Sequence, residues 1–314
     1  MRLAIIILAL VLAWTGLRAE QPSEAKEIKL DAQFAGKLVT AWKRYFELYS
    51  RIGFAYEVDS SSISLQRHGM NPNRKSRVRY RAMLPYFNFS EDFIGPERPN
   101  LGDGTLMVAY DGSKYYHLDR YASLQITADV EKLPPNVRRL QVQNPVFRPF
   151  LYLIKDEFSS NLTTNIQNPV FWSKVIAQIS KVEAVKENGN DLLRLSLNSD
   201  RGDRMSVYLD PKKEYLPIRS ERERDTSFSI IRIDSLKTLN NGIYLPLEVY
   251  SEKKMADGEL GYTRVKVIED SIQEFNSAQN LRAENFTIPF SHAQEVYDID
   301  AEVRLKTKDA AAPR

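Results

Sequence analysis

Residues 191–250 read DLLRLSLNSDRGDRMSVYLDPKKEYLPIRSERERDTSFSIIRIDSLKTLNNGIYLPLEVY. Leu193, Leu195 and Leu197 alternate with Arg194, Ser196 and Asn198, and Met205, Val207 and Leu209 alternate with Ser206, Tyr208 and Asp210. Side chains of a strand point to opposite faces with period two, so each run presents one apolar and one polar face. The pattern continues in Ile231 and Ile233, in Leu245, Leu247 and Val249, and in Thr263, Val265 and Val267. Between the runs lie Asp210-Pro211, Asn240-Asn241-Gly242 and Ala256-Asp257-Gly258, whose residues favour tight turns. Strands joined by such short turns make an antiparallel meander.

Upstream, the segments around Phe54–Leu65, Arg77–Tyr86, Leu106–Tyr110 and Lys114–Asp119 carry the same signal, with Asp111-Gly112 as a hairpin turn. Before them the period changes. Phe34, Leu38, Ala41, Trp42, Tyr45, Phe46 and Tyr49 recur every three or four residues, which predicts an amphipathic helix from Asp31 to about Ser50. Residues 133–150 hold four prolines, and 145–180 is expected to form one or two short helices, one of them starting at Pro169. The predicted fold class is mainly β (α+β): an incomplete antiparallel β-barrel of about 10–11 strands. A long N-terminal helix and the short mid-chain helices would close its apolar side as a lid.

The chain has 314 residues, 43% hydrophobic and 27% charged, an ordinary globular composition. Its first residues read as a secretory signal peptide: Arg2, an apolar run from Leu3 to Leu12, and Leu17-Arg18-Ala19 before Glu20. The expected organisation is a signal peptide at 1–19, a loose lead-in at 20–30, one domain at 31–303 and a disordered tail at 304–314. Removal of Arg2 and Arg18 leaves 42 basic against 41 acidic side chains, a balance that argues against a nucleic-acid partner. No later segment reaches the length of a membrane-spanning helix, so the mature chain is expected to be periplasmic, not membrane-spanning and monomeric.

Zero Cys excludes disulfides, thiolate metal sites, cysteine nucleophiles and the lipobox cysteine of a lipoprotein. His68, His117 and His292 are too widely spaced for the usual metal or general-base constellations. Asp191, Asp203, Asp210, Asp234 and Glu248 fall at strand ends or on the polar face, where solvated acids are the ordinary case. No P-loop, dinucleotide, G-x-S-x-G or H-E-x-x-H fingerprint occurs. The sequence therefore points away from an enzyme and implies no metal and no cofactor.

The runs VYLDPKKEYLPIRSERERD (207–225), IRIDSLKTLNNGIYLPLEV (231–249) and NFTIPFSHAQEVYDID (285–300) resemble the C-terminal half of LolA-like exported proteins. In that family a strand ends in Asp-Pro, a hairpin returns with Leu-Pro-Ile/Val-Arg, and a Phe-x-Ile/Val-Pro segment ends the barrel. The order of elements matches over most of residues 30–300. The resemblance implies a half-barrel with helices lining its open side and a role in holding lipid or lipoprotein acyl chains, as in outer membrane lipoprotein sorting. This chain is longer than the dedicated carrier and carries a charged hairpin at Arg219–Asp225. Arg79 or Arg81 is the nearest candidate for the carrier's lid-latching arginine.

Two functions follow as expectations. In the first, acyl chains bind in a concave apolar cavity lined by Leu195, Val207, Leu209, Ile231, Ile233, Leu245, Leu247 and Val265, with Phe150, Leu151 and Trp172 on the lid. In the second, the concavity is filled by the protein's own side chains, and the charged 219–225 hairpin contacts an envelope membrane protein in an interaction or sensor role.

Overall fold

The computed structural model describes residues 25–49, 51–61, 63, 73–83, 86–94, 106–129, 132–133, 144–154, 168–199, 202–275 and 286–306. The expected signal peptide at 1–19, the tail beyond Lys306 and the Leu84-Pro85 pair lie outside the described residues.

Among the described residues the chain is mostly β: one large unclosed sheet, an incomplete barrel with helices on its concave side. Sixteen described strands stand in the order β1-β8-β9-β10-β11-β12-β13-β14-β2-β3-β4-β5-β6-β7-β15-β16. Two meanders build it. The first runs through β2 (Ile52–Ser61), β3 (Asn73–Met83), β4 (Tyr86–Phe93), β5 (Leu106–Tyr110), β6 (Tyr115–Leu118) and β7 (Ser123–Thr127). The second runs through β8 (Ile179–Glu187), β9 (Asn190–Leu197), β10 (Arg204–Asp210), β11 (Leu216–Arg224), β12 (Ser227–Thr238), β13 (Tyr244–Lys254) and β14 (Leu260–Glu274). They join where β14 pairs antiparallel with β2, Val265 opposite Val58 and Val267 opposite Tyr56.

The described strands exceed the expected 10–11 in part because β1 (Lys26–Ile28), β7, β15 (Glu295–Asp298) and β16 (Val303–Lys306) are too short to show a period of their own. They add to an existing sheet through backbone hydrogen bonds. Lys26–Ile28, expected in a loose lead-in, pairs with β8; Val303–Lys306, of which 304–306 were expected in a disordered tail, pairs with β15. One ladder is parallel, β15 with β7, because the chain returns to that edge only after completing the second meander.

Helix α1 (Ala32–Tyr49) starts where the Asp31 carboxylate accepts the Phe34 N–H at 2.8 Å, an N-cap. Its stripe of Leu38, Trp42, Tyr45 and Phe46 is wholly buried on the concave face. Among the described residues the mid-chain region supplies a 3-10 turn, Arg148–Phe150, and helix α2 (Pro169–Ala177), capped by the Asn168 side chain with Pro169 in the first turn. Phe46 meets Phe150 at 4.8 Å and Trp172 at 5.9 Å between ring centroids, so α1, the 3-10 turn and α2 share one aromatic layer over the sheet. A smaller cluster of Ala109, Leu118, Leu124 and Ile126 is closed by Ile288, Ala293 and Val296 from the C-terminal segment.

The outer face carries solvated ion pairs such as Arg77–Glu57 at 2.8 Å and Arg79–Asp92 at 3.1 Å. Each is worth at most about 1 kcal/mol at this exposure. Arg81, on the neighbouring register position, lies over Phe275 and Phe286, with its Cζ 5.2 and 5.7 Å from their ring centroids. The two latch candidates are thus engaged by an acid on the wet face and by the C-terminal aromatics.

Candidate functional site: a cationic cavity at one end of the concave face

The concave face is not uniform. Cross-strand register sorts its side chains into rows, since residues directly opposite one another share a face. Ile233, Val249, Val265 and Val58 form one row, which is apolar. The next holds Ser220, Ile231, Ser251 and Thr263. The one beyond holds Arg222, Ser229, Lys253 and Gly261. Across two rows the surface passes from hydrocarbon to hydroxyl to cation.

Under α1 the apolar part is filled by the chain itself. Leu195, Val207, Leu209, Leu245, Val265 and Phe150 have 0% exposure, and Trp172 and Ile231 are buried. Ile233, Leu247 and Leu151 are partly buried and pack against the same cluster. At the polar end a cavity of about 760 Å³ remains. Of the eleven residues expected to hold an acyl chain, Ile231 and Leu151 line it; the other nine do not.

The cavity wall nearest the helices is the segment that follows Asn144. The buried Asn144 side chain accepts the Val146 N–H at 3.0 Å, and its carbonyl accepts the Arg148 N–H at 2.9 Å, which winds the chain into the 3-10 turn. Arg148 is thereby carried inward and donates from Nη2 to the Ser251 hydroxyl. Burial lowers the pKa of its guanidinium to about 10, against the pull of the Tyr152 and Tyr56 hydroxyls, so it remains a cation at neutral pH. Further along, the Tyr152 hydroxyl lies 2.7 Å from the Ser229 hydroxyl, and the Ser220 hydroxyl donates to the Pro149 carbonyl at 3.3 Å. Burial raises the Tyr152 pKa, keeping that hydroxyl protonated.

Arg222 sits beside them with Nε 2.8 Å from Oδ2 of Asp203, whose side chain has 0% exposure. Arg224 reaches the same acid at 3.5 Å. Arg219 pairs with Glu187, lies 3.1 Å from Glu221 and stacks over Tyr208 at 3.8 Å from the ring centroid. The arginines of the 219–225 hairpin are therefore engaged by acids of their own sheet. Beside these polar groups, Leu151, Ile231, Ile63 and Met255 give the cavity apolar surface. Gly261 admits Ile63 closely: a Cβ there would lie 3.1 Å from its Cγ1.

Arg148, Arg222, Ser229, Ser251 and Lys253 escape an analysis that stops where the alternation turns polar. The signal was present as two further steps of the same period: Val249 leads to Ser251 and Lys253, and Val265 leads back to Thr263 and Gly261. Among the described residues no cluster of three or more His, Asp or Glu could hold a metal ion, and no helix is long and apolar enough to cross a membrane.

A crystal structure of a domain named for outer membrane lipoprotein sorting, from Vibrio parahaemolyticus, is similar over 81% of this chain and 97% of its own, at 12% identity and a TM-score of 0.41. No family model and no curated relative matches the chain.

Proposed function

We propose that this chain is an exported, non-enzymatic binder of amphiphiles, taking lipid or the acyl chains of lipoproteins into the cavity beside Arg148. One observation carries the reading: the concave face, filled by the chain's own described residues beneath α1, opens at one end into about 760 Å³ lined by hydrocarbon side by side with hydroxyls and cations. That volume lies within the range of roughly 300–1,000 Å³ usual for small-molecule sites. Each methylene transferred from water onto Leu151, Ile231, Ile63 and Met255 contributes about 0.8 kcal/mol, so a partly buried chain suffices for useful affinity.

The test is native mass spectrometry of the mature protein, purified without detergent from its own host, followed by lipid extraction. A stoichiometric acyl-bearing ligand is expected. A ligand-free mass, with no uptake of added oleate or lipopeptide, would overturn the reading. It would favour an envelope interaction module, for which the close filling beneath α1 is the supporting observation.

A further inference from the structure

We propose that the cavity selects amphiphiles by a hydroxyl-bearing head, the vicinal diol of a glycerol ester or a sugar, in preference to heads that only accept hydrogen bonds. The inference rests on the amphiphile-binding reading above and adds to it the chemistry of the ligand's polar end.

Tyr152, Ser229, Ser251 and Thr263 bring four hydroxyl-bearing side chains to the cavity lining. Register sets their spacing. Ser251 lies directly opposite Thr263 on β14 and opposite Ile231 on β12, and Ser229, two residues before Ile231, shares its face one row further out. Directly opposite residues stand about 5 Å apart between Cβ atoms and diagonal ones about 7–8 Å, which matches the span of a short polyol. The Tyr152 hydroxyl, 2.7 Å from that of Ser229, joins the patch from the segment that follows the 3-10 turn.

Each of these groups both donates and accepts. Burial keeps Tyr152 protonated, so two hydrogens serve the Tyr152–Ser229 pair. One lies between the oxygens and the other is free to turn into the cavity. Ser251 accepts from Arg148, while its own O–H reaches the Thr263 carbonyl only at 3.5 Å, a bond long enough to exchange for a ligand oxygen. The complement of such a patch is a head that also donates and accepts. A diol does both, whereas a carboxylate or an ester carbonyl accepts from the O–H groups and gives nothing to their lone pairs.

The charges beside the patch leave this preference standing. Arg222 is paired with Asp203, and Arg148 is held by Ser251. Lys253 is exposed, where water weakens any ion pair it makes. A carboxylate would also have to leave water, at greater cost than neutral hydroxyls. Ile231, opposite Ser251, and Leu151 adjoin the hydroxyls, so head and tail are received side by side.

Equilibrium partitioning on the delipidated, full mature protein tests this. The protein is offered an equimolar mixture of monooleoylglycerol, oleyl glucoside, methyl oleate and oleate carried on cyclodextrin, then isolated by gel filtration and extracted, and the bound lipids are quantified by mass spectrometry. Monooleoylglycerol or the glucoside should be enriched at least about tenfold over methyl oleate and over oleate, the effect of two net hydrogen bonds, with the more enriched of the two naming the head. The enrichment should fall severalfold in Ser229→Ala and in Thr263→Val, while uptake of methyl oleate offered alone stays unchanged. Thr263 is half-buried and valine keeps its shape, so the second variant keeps the test sound if the first does not fold. Methyl oleate or oleate bound as abundantly as the hydroxylated lipids, or an enrichment that both variants retain, would overturn the head-group inference and leave the amphiphile reading intact. If none of the four lipids is retained, both are overturned.

Discussion

The indole N–H of Trp42 donates to the backbone carbonyl of Tyr215 at 3.0 Å, across 173 positions of sequence. One turn on, the Tyr45 hydroxyl donates to the Lys213 carbonyl at 2.9 Å. Both acceptors belong to the Asp-Pro hairpin between β10 and β11, where Glu214 and Tyr215 hold positive φ of 52° and 59°. Helix α1 is thus attached to the second meander by side-chain bonds to a strained turn, as well as by its apolar stripe.

Tyr45→Phe should therefore cost about 1 kcal/mol, the ordinary net value of one such bond. Trp42→Ala should cost about 3–5 kcal/mol, because it also empties the aromatic layer shared with Phe150 and Trp172. Urea unfolding checks both: the midpoint should fall with the m-value unchanged. Equal costs for the two variants would mean that the layer is less tightly packed than it looks.

Asp203→Ala should destabilise by roughly 2–4 kcal/mol, below the upper end for buried pairs because Arg222 keeps 21% side-chain exposure. The damage should centre on β10–β12, where Asp203 also meets Arg224. Amide hydrogen exchange would show protection lost along Arg204–Asp210 and Leu216–Arg224 and kept in β2–β5. Uniform loss across both meanders would contradict a local role.

Much of this architecture is legible in the residues. The alternations at 193–197, 205–209, 231–233, 245–249 and 263–267 correspond to β9, β10, β12, β13 and β14, and the aromatic stripe corresponds to α1. Alternation specifies which face a side chain occupies but not which strand lies alongside. The pairing of β14 with β2 joins residues some 200 positions apart, and nothing local to Val265 or Val58 encodes it. The site was less legible for a related reason. Ser251 and Lys253 are polar residues on an inward face, and a reading that equates inward with apolar stops at Val249. The register, with Ile231 opposite Ser251, shows that they continue the concave surface.

Strong acid should loosen the C-terminal edge. The Asp300 carboxylate accepts the Ala128 N–H at 2.6 Å, the Thr127 hydroxyl at 2.9 Å and the Lys132 ammonium at 2.9 Å, which hold its pKa down to about 2. Its folded value is depressed, so its contribution is complete above the ordinary aspartate value of about 3.9 and is lost as pH falls toward 2. Asp300→Asn should show less protection of β7 and β15 at pH 6 and a shallower loss between pH 4 and 2. A variant with the wild-type profile would show that these bonds do not hold the edge.

His117 sets a second, milder dependence. Burial drives its pKa below the ordinary histidine value, with Gln125 and Asp119 pulling weakly the other way. The neutral imidazole is the form that fits the fold, so its contribution is full above about pH 6.5 and is lost as pH falls below that value. His117→Leu should flatten the decline in melting temperature between pH 7 and 5. An unchanged slope would assign that decline to other groups.

Where a ligand would sit separates two pictures of the concave face, and one pair of substitutions distinguishes them. Leu209→Asp is an unsuitable probe: with 0% exposure at Leu209, an unpaired buried carboxylate would unfold the sheet whatever the site does. Thr263 is only half-buried and lines the cavity next to Ser251, so Thr263→Phe should add apolar bulk to the open space with little loss of stability. Leu195→Ala, in contrast, enlarges the filled region beneath α1 and should cost about 2–5 kcal/mol. If the cavity beside Arg148 holds the acyl chain, Thr263→Phe should reduce oleate uptake at least about tenfold, since a phenyl ring occupies volume that several methylenes would otherwise fill. Leu195→Ala should then bind oleate as the wild type does while unfolding at lower urea. The reverse pattern, with uptake kept in Thr263→Phe and changed in Leu195→Ala, would move the ligand beneath the helix and remove the cavity from the mechanism.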